Sequence, residues 1–123
     1  MLTETQAREF ARDWIQAWNS HNLDAIMSYY APEVVLVSPL AAKIMNSRSG
    51  TVEGHQALRS YFSRGLEMNP KLAFRLLDVM CGVSSITVYF VNEASARTGE
   101  FMELGPNGKV VRVVVNKANQ SLM

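Results

Sequence analysis

One cysteine, Cys81, stands among 123 residues. No internal disulfide can form, which fits a reducing compartment. The two histidines, His21 and His55, have no ligand-type partner three or four residues away. With a single thiol, the chain offers no metal-ligand spacing, and no metal is expected. An excess of one charge is lacking too. Twelve Lys and Arg face eleven Asp and Glu, a net charge of +1, and they form no basic stripe. No nucleic-acid partner is expected. No apolar run approaches the ~20 residues of a membrane span. The opening MLTETQAREFAR carries two acids and no apolar core. Neither a signal peptide nor a membrane partner is expected, and a cytoplasmic location is the default. Asn119-Gln120-Ser121 matches a glycosylation sequon, read as chance without a secretion signal. GPNGK at 105–109 lacks the spacing of a phosphate-binding loop.

What is present suits one folded domain spanning residues 1–123. Apolar residues make up 48% of the chain, enough to build a core without staples. Thr3 and Gln6 form a capping box. Ala7, Phe10, Ala11, Trp14, Ile15 and Trp18 follow at helical spacing, predicting a first helix that ends near His21. Asn22 caps a short second helix carrying Leu23, Ile26, Met27 and Tyr30, with Pro32 as its stop. Val34 to Val37 read as a strand ended by Ser38-Pro39. Residues 39–50 read as a loop with a short strand possible at its end. Gly54 opens a third helix, with Leu58, Tyr61, Phe62 and Leu66 inside. Strands follow at 71–80, 85–91, 97–104 and 109–117, the last two joined by the Gly105–Gly108 turn.

This order predicts an α+β domain, helices packed on one face of a mostly antiparallel sheet. In the last strand Val111, Val113, Val115 and Lys117 form one alternation set, expected to face the helices. Val110, Arg112, Val114 and Asn116 form a mixed set, suited to water or a second subunit.

WIQAWNSHNLDAIMSYYAPEVVLVSP, GTVEGHQALRSYFSRGL and GKVVRVVV, in this order and spacing, resemble the nuclear transport factor 2-like superfamily. The similarity is strongest to its SnoaL-like polyketide cyclase and ketosteroid isomerase branch, and it covers nearly the whole chain. It implies a cone-shaped α+β barrel, three helices of the N-terminal half on a curved sheet around a deep apolar pocket. It also implies a homodimer through the sheet face. The superfamily hosts enzymes and binders alike, so side chains must decide the function.

The resemblance places Ser38 where isomerase-like members carry the aspartate that serves as general base. A hydroxyl has no such basicity near neutral pH, which argues against that chemistry. Ser38 is left as a hydrogen-bonding group toward a ligand, or a strand-end serine bonded to nearby backbone. Trp14 falls at the position of an oxyanion-binding tyrosine. An indole N–H donates but is no acid. Glu100 matches the second pocket acid, counted back from Gly108-Lys109. Alternation puts it beside Met102 and Leu104, facing inward. A one-residue shift of register would turn Phe101 inward instead.

The expected pocket is lined by Trp14, Trp18, Tyr30, Val37, Ser38, Tyr61, Tyr89 and Met102, and takes a small, mostly apolar molecule. The alternative is an isomerase, cyclase or dehydratase that needs no cofactor. It would act on a polyketide-, steroid- or terpenoid-like substrate, with Glu100 as catalytic acid or base.

Overall fold

The computed structural model describes residues 2–118. Helix α1 (Glu4–Asn19) starts at the Thr3 capping box. Gln6 N donates to Thr3 Oγ1 at 3.1 Å, and Thr3 N donates to Gln6 Oε1 at 2.9 Å. Helix α2 (Leu23–Met27) is capped by Asn22, whose Oδ1 accepts from Ala25 N at 3.1 Å. Strand β1 (Tyr30–Val37) leads into a short helix α3 (Pro39–Ile44). Strand β2 (Thr51–Glu53) and helix α4 (His55–Met68) follow. Strands β3 (Arg75–Cys81), β4 (Ser85–Val91), β5 (Arg97–Leu104) and β6 (Val110–Ala118) complete the described chain.

The strands form one sheet in the order β2-β1-β6-β5-β4-β3. Every pairing is antiparallel except β1 with β6. The sheet is curved and open, and the helices pack on one face. The three expected helices are α1, α2 and α4, and α3 is an addition. Between sheet and helices lies a core of interlocked rings. Trp14, fully buried, meets Phe90 at 5.4 Å and Phe74 at 6.2 Å between centroids. Trp18 meets Phe62 edge-on at 4.7 Å. Edge-on and offset contacts of this kind stabilise beyond their buried area.

Several sequence expectations give way to tertiary contacts. Pro32 does not end α2. The helix stops at Met27, and Tyr30 stands on β1 rather than on the helix. The carbonyls just past α2 are claimed by the last strand: Lys109 Nζ donates to Ser28 O at 2.7 Å and Val110 N to Tyr29 O at 2.8 Å. Pro32 then falls where the β1–β6 register is interrupted, between Tyr30 and Val35, so its missing N–H is not needed. Residues 39–44 are helical rather than loop, because Ser38 is an N-cap and Pro39 takes the first helical position, where proline's fixed φ helps. Strand β3 begins at Arg75 rather than 71. The Asn19 amide occupies both backbone groups of Phe74, at 2.9 and 2.7 Å. Opposite Glu103 and Leu104 of β5, the β6 register skips Val111. Val110 is thereby buried in place of the expected Val111, while Val113 keeps its inward place. The Asn119 sequon lies outside the described residues.

Candidate functional site

A cavity of about 150 Å³ opens between α1, α4 and the inner face of the sheet. Its aromatic walls are Trp18, Phe62, Phe74 and Phe90, and Leu36 and Val115 add aliphatic surface. The polar groups inside are few: Ser38, Tyr61, Thr98 and Glu100. Leu40, Asn69, Asn92 and Lys117 also line it. Asn69 is held by Glu93, whose Oε2 accepts its Nδ2 at 3.1 Å.

Glu100 is placed by strand alternation. On β5, Thr98, Glu100 and Met102 share the inner face, paired across to Lys117, Val115 and Val113 of β6. Burial raises its carboxyl from the usual 4.5 to about 7, and the charge of Lys117 partly opposes the rise. No hydrogen bond reaches this carboxyl among the described residues. It therefore changes charge near neutrality inside an aromatic pocket.

Ser38 is built in by its hydrogen bonds, one of them from Ala42 N to its carbonyl oxygen at 3.2 Å. Its N–H donates to Gly50 O at 2.9 Å, and its Oγ accepts from Leu40 N at 3.2 Å. Tyr61, from α4, donates its hydroxyl to Ser38 Oγ at 3.4 Å. Ser38 is 3% and Tyr61 5% exposed. Burial raises the Tyr61 phenol, and the bond to Ser38 opposes the rise. Gly50 is required here. Its φ of 66° is left-handed, and a Cβ would lie 2.5 Å from Ser38 O.

Of the residues expected to line the pocket, Trp18, Ser38 and Tyr61 meet there, and the candidate acid Glu100 joins them. Trp14, Tyr30, Val37, Tyr89 and Met102 do not. Trp14 lies beneath the wall, its Nε1 donating to Tyr30 Oη at 3.0 Å. The buried Trp18 N–H lies near that hydroxyl without bonding to it. Met102 is wholly buried in the core. Val37 and Tyr89 sit on the outer face, because the inward sets are Val34-Leu36 and Ile86-Val88-Phe90. Tyr89 Oη accepts from Arg97 Nη1 at 3.3 Å instead. Phe74, Phe90, Leu36 and Thr98 were missed. Period-two reading of the two strands would have found Leu36 and Phe90. Phe74 carried no such signal, since it precedes its strand.

The histidines are structural. His21 Nε2 bonds Leu72 O at 2.8 Å, and His55 Nε2 bonds Met27 O at 3.2 Å. Among the described residues no three metal-ligating side chains converge, and no helix is long and apolar enough to cross a membrane.

A curved, open sheet folded over a long helix, with a pocket between them, defines the cone-shaped α+β class of nuclear transport factor 2-like proteins. Within that class, residues 11–116 match the SnoaL-like domain, and the chain belongs to that family. A SnoaL-like protein of unknown function from Burkholderia thailandensis is 32% identical, with a TM-score of 0.91 over 95% of this chain and 98% of that one. SalBIII, an epoxide hydrolase/cyclase-like enzyme of pyran ring formation in the polyether salinomycin, is 18% identical. Its TM-score is 0.71, over 96% of this chain and 95% of that one. A nuclear transport factor 2-like protein of unknown function from Cytophaga hutchinsonii is 13% identical, with a TM-score of 0.68 over 99% and 98%. The last two are likenesses of fold alone. No curated protein matches the chain.

Proposed function

We propose that this protein binds a small, mostly apolar molecule in the pocket, with Glu100 meeting its polar group. One observation carries this reading: a half-buried carboxyl without a hydrogen-bond partner among the described residues lines the same pocket as four aromatic rings. Its oxygens are free to accept from a ligand donor, and a hydrogen bond to a charged carboxylate is among the stronger ones. The cavity narrows the class. About 150 Å³ holds a single ring, whereas drug-sized ligands occupy ~300 Å³ or more. A fused-ring skeleton would have to extend through the mouth.

The test is a titration of ¹⁵N-labelled protein with 4-ethylphenol. Shifts are expected at the Trp18 indole and around Glu100 and Phe90. Glu100→Gln should weaken binding about fivefold or more, through loss of a charge-assisted bond. Shifts confined to the outer sheet face would sink the reading.

The second reading is proton transfer without a cofactor, as an isomerase, cyclase or dehydratase. It draws on the Glu100 value of about 7, which leaves acid and base forms both populated near neutral pH. Turnover of an identified substrate that survives Glu100→Gln would rule it out.

The outer sheet face bears on assembly. Val37, Val114 and Phe101 form one cross-strand row there. The next row holds Arg112 and Glu103, 3.9 Å apart. A two-fold related copy presents the same apolar row and both charges in return, so we propose a homodimer through this face. Sedimentation at micromolar concentration should give twice the 13.7 kDa chain mass. Phe101→Glu should give the single chain, and a monomeric wild type would refute the dimer.

A further inference from the structure

We propose that the Ser38–Tyr61 hydroxyl pair is a carbonyl-recognising subsite. The ligand it selects is a single-ring molecule with a ketone oxygen at one end and a hydroxyl at the other. This rests on the pocket being a ligand site, and it names the ligand's chemistry and direction.

Hydrogen-bond counting carries the inference. A serine hydroxyl has one proton and two acceptor positions. Leu40 N–H takes one acceptor position of Ser38 Oγ, at 3.2 Å, and the Tyr61 hydroxyl takes the other, at 3.4 Å. The Ser38 proton is left over, and no acceptor for it stands among the described residues. If the pair's internal bond reverses, the Tyr61 proton is left over instead. In either arrangement two O–H groups make one bond between themselves, and one donor remains. Both residues line the cavity and both are at least nine-tenths buried. A buried donor left unmet is destabilising, and a ligand oxygen is what it lacks.

The sheet register sets the opposite end. Val37 pairs with Val114, so the next residue, Ser38, comes beside Val115, and Val115 pairs with Glu100. Ser38 and Glu100 thus stand two strands apart with Val115 as the floor between them. Two strand spacings are ~10 Å, room for one ring and a hydrogen bond at each end. The Ser38 end offers a proton and the Glu100 carboxylate accepts one. A ligand bridging them carries an acceptor toward Ser38 and a donor toward Glu100. Its ring lies over Val115, between Phe62 and Phe90.

The experiment compares 4-hydroxyacetophenone with 4-ethylphenol, which has a methylene in place of the ketone carbonyl, by chemical-shift titration of wild type, Ser38→Ala, Tyr61→Phe and the double variant. Wild type should bind the ketone about tenfold more tightly. Each single variant keeps one free donor and should lose less than about threefold. The double variant should lose most of the preference, and 4-ethylphenol shifts that persist at its Trp18 indole report that its pocket is folded. That non-additivity separates a shared donor from two independent contacts. Equal wild-type affinity for the two compounds overturns the subsite while leaving the pocket reading intact. Additive single losses overturn the shared donor, and failure of both compounds to bind overturns the ligand class. If the double variant does not fold, the comparison is repeated in Glu100→Gln: a ketone preference that persists there belongs to the Ser38 end, and one that vanishes there overturns the subsite.

Discussion

Trp14→Ala should destabilise the fold by about 3–5 kcal/mol, the range for emptying a buried aromatic site. That is a large part of the 5–15 kcal/mol typical of a domain. Trp14 has no exposed surface and touches Trp18, Phe74 and Phe90. Three of the pocket's aromatic walls therefore rest on it, although it does not line the cavity. The substitution also removes the donor to Tyr30 Oη. Trp14→Phe keeps most of the ring and loses that bond, and should cost about 1–2 kcal/mol. Urea denaturation of both variants measures the difference. A loss below about 1.5 kcal/mol for Trp14→Ala would contradict the packing described here.

The second large effect is the pH dependence carried by Glu100. Its folded value of about 7 lies above the ordinary 4.5, so the folded state holds this proton more tightly than the unfolded chain. Its contribution is favourable below about pH 4.5. It is lost as pH rises toward 7 and then levels off. The full span is about 3 kcal/mol at most, and less where the cavity admits water. The difference between wild type and Glu100→Gln isolates this group from the other carboxylates. Relative to wild type, Glu100→Gln should gain stability between pH 5 and 7 and stay ahead at pH 8. Parallel stability curves across pH 4–8 would place the carboxyl in water rather than in the pocket.

Much of the fold was legible because local rules and tertiary packing agree. The Thr3 capping box, the apolar face of α1 and the limits of β4 and β5 follow from sequence. The family resemblance supplied the cone. The failures cluster where a distant residue decides. Nothing near Met27 announces that Lys109 and Val110 will take the carbonyls of Ser28 and Tyr29. The Asn19–Phe74 bridge that delays β3 spans 55 residues. Ser38-Pro39 is different: a strand end and a helix start share the same two residues, and the cap-plus-proline signal is local. For the pocket, alternation placed Glu100 inward, and the same rule sends Val37 and Tyr89 outward. Their residue types suit a pocket, but their strand phase turns them away from it. Tyr61 and Trp18 were readable from helical spacing. Their neighbours Phe74 and Phe90 depended on how β3 and β4 fold over α1.

The single parallel pairing in the sheet has a consequence for how the chain folds. β1 holds Leu36 and leads into Ser38, while β6 holds Val115 and Lys117, and the two meet only when Val37 finds Val114. About two-thirds of the described chain lies between these partners. Closing so long a loop is entropically slow, and such non-local pairings delay folding. The β3–β4–β5 meander needs only neighbouring segments and can form first. The pocket is therefore a late product of folding: its two polar ends come together in the step that joins the first strand to the last.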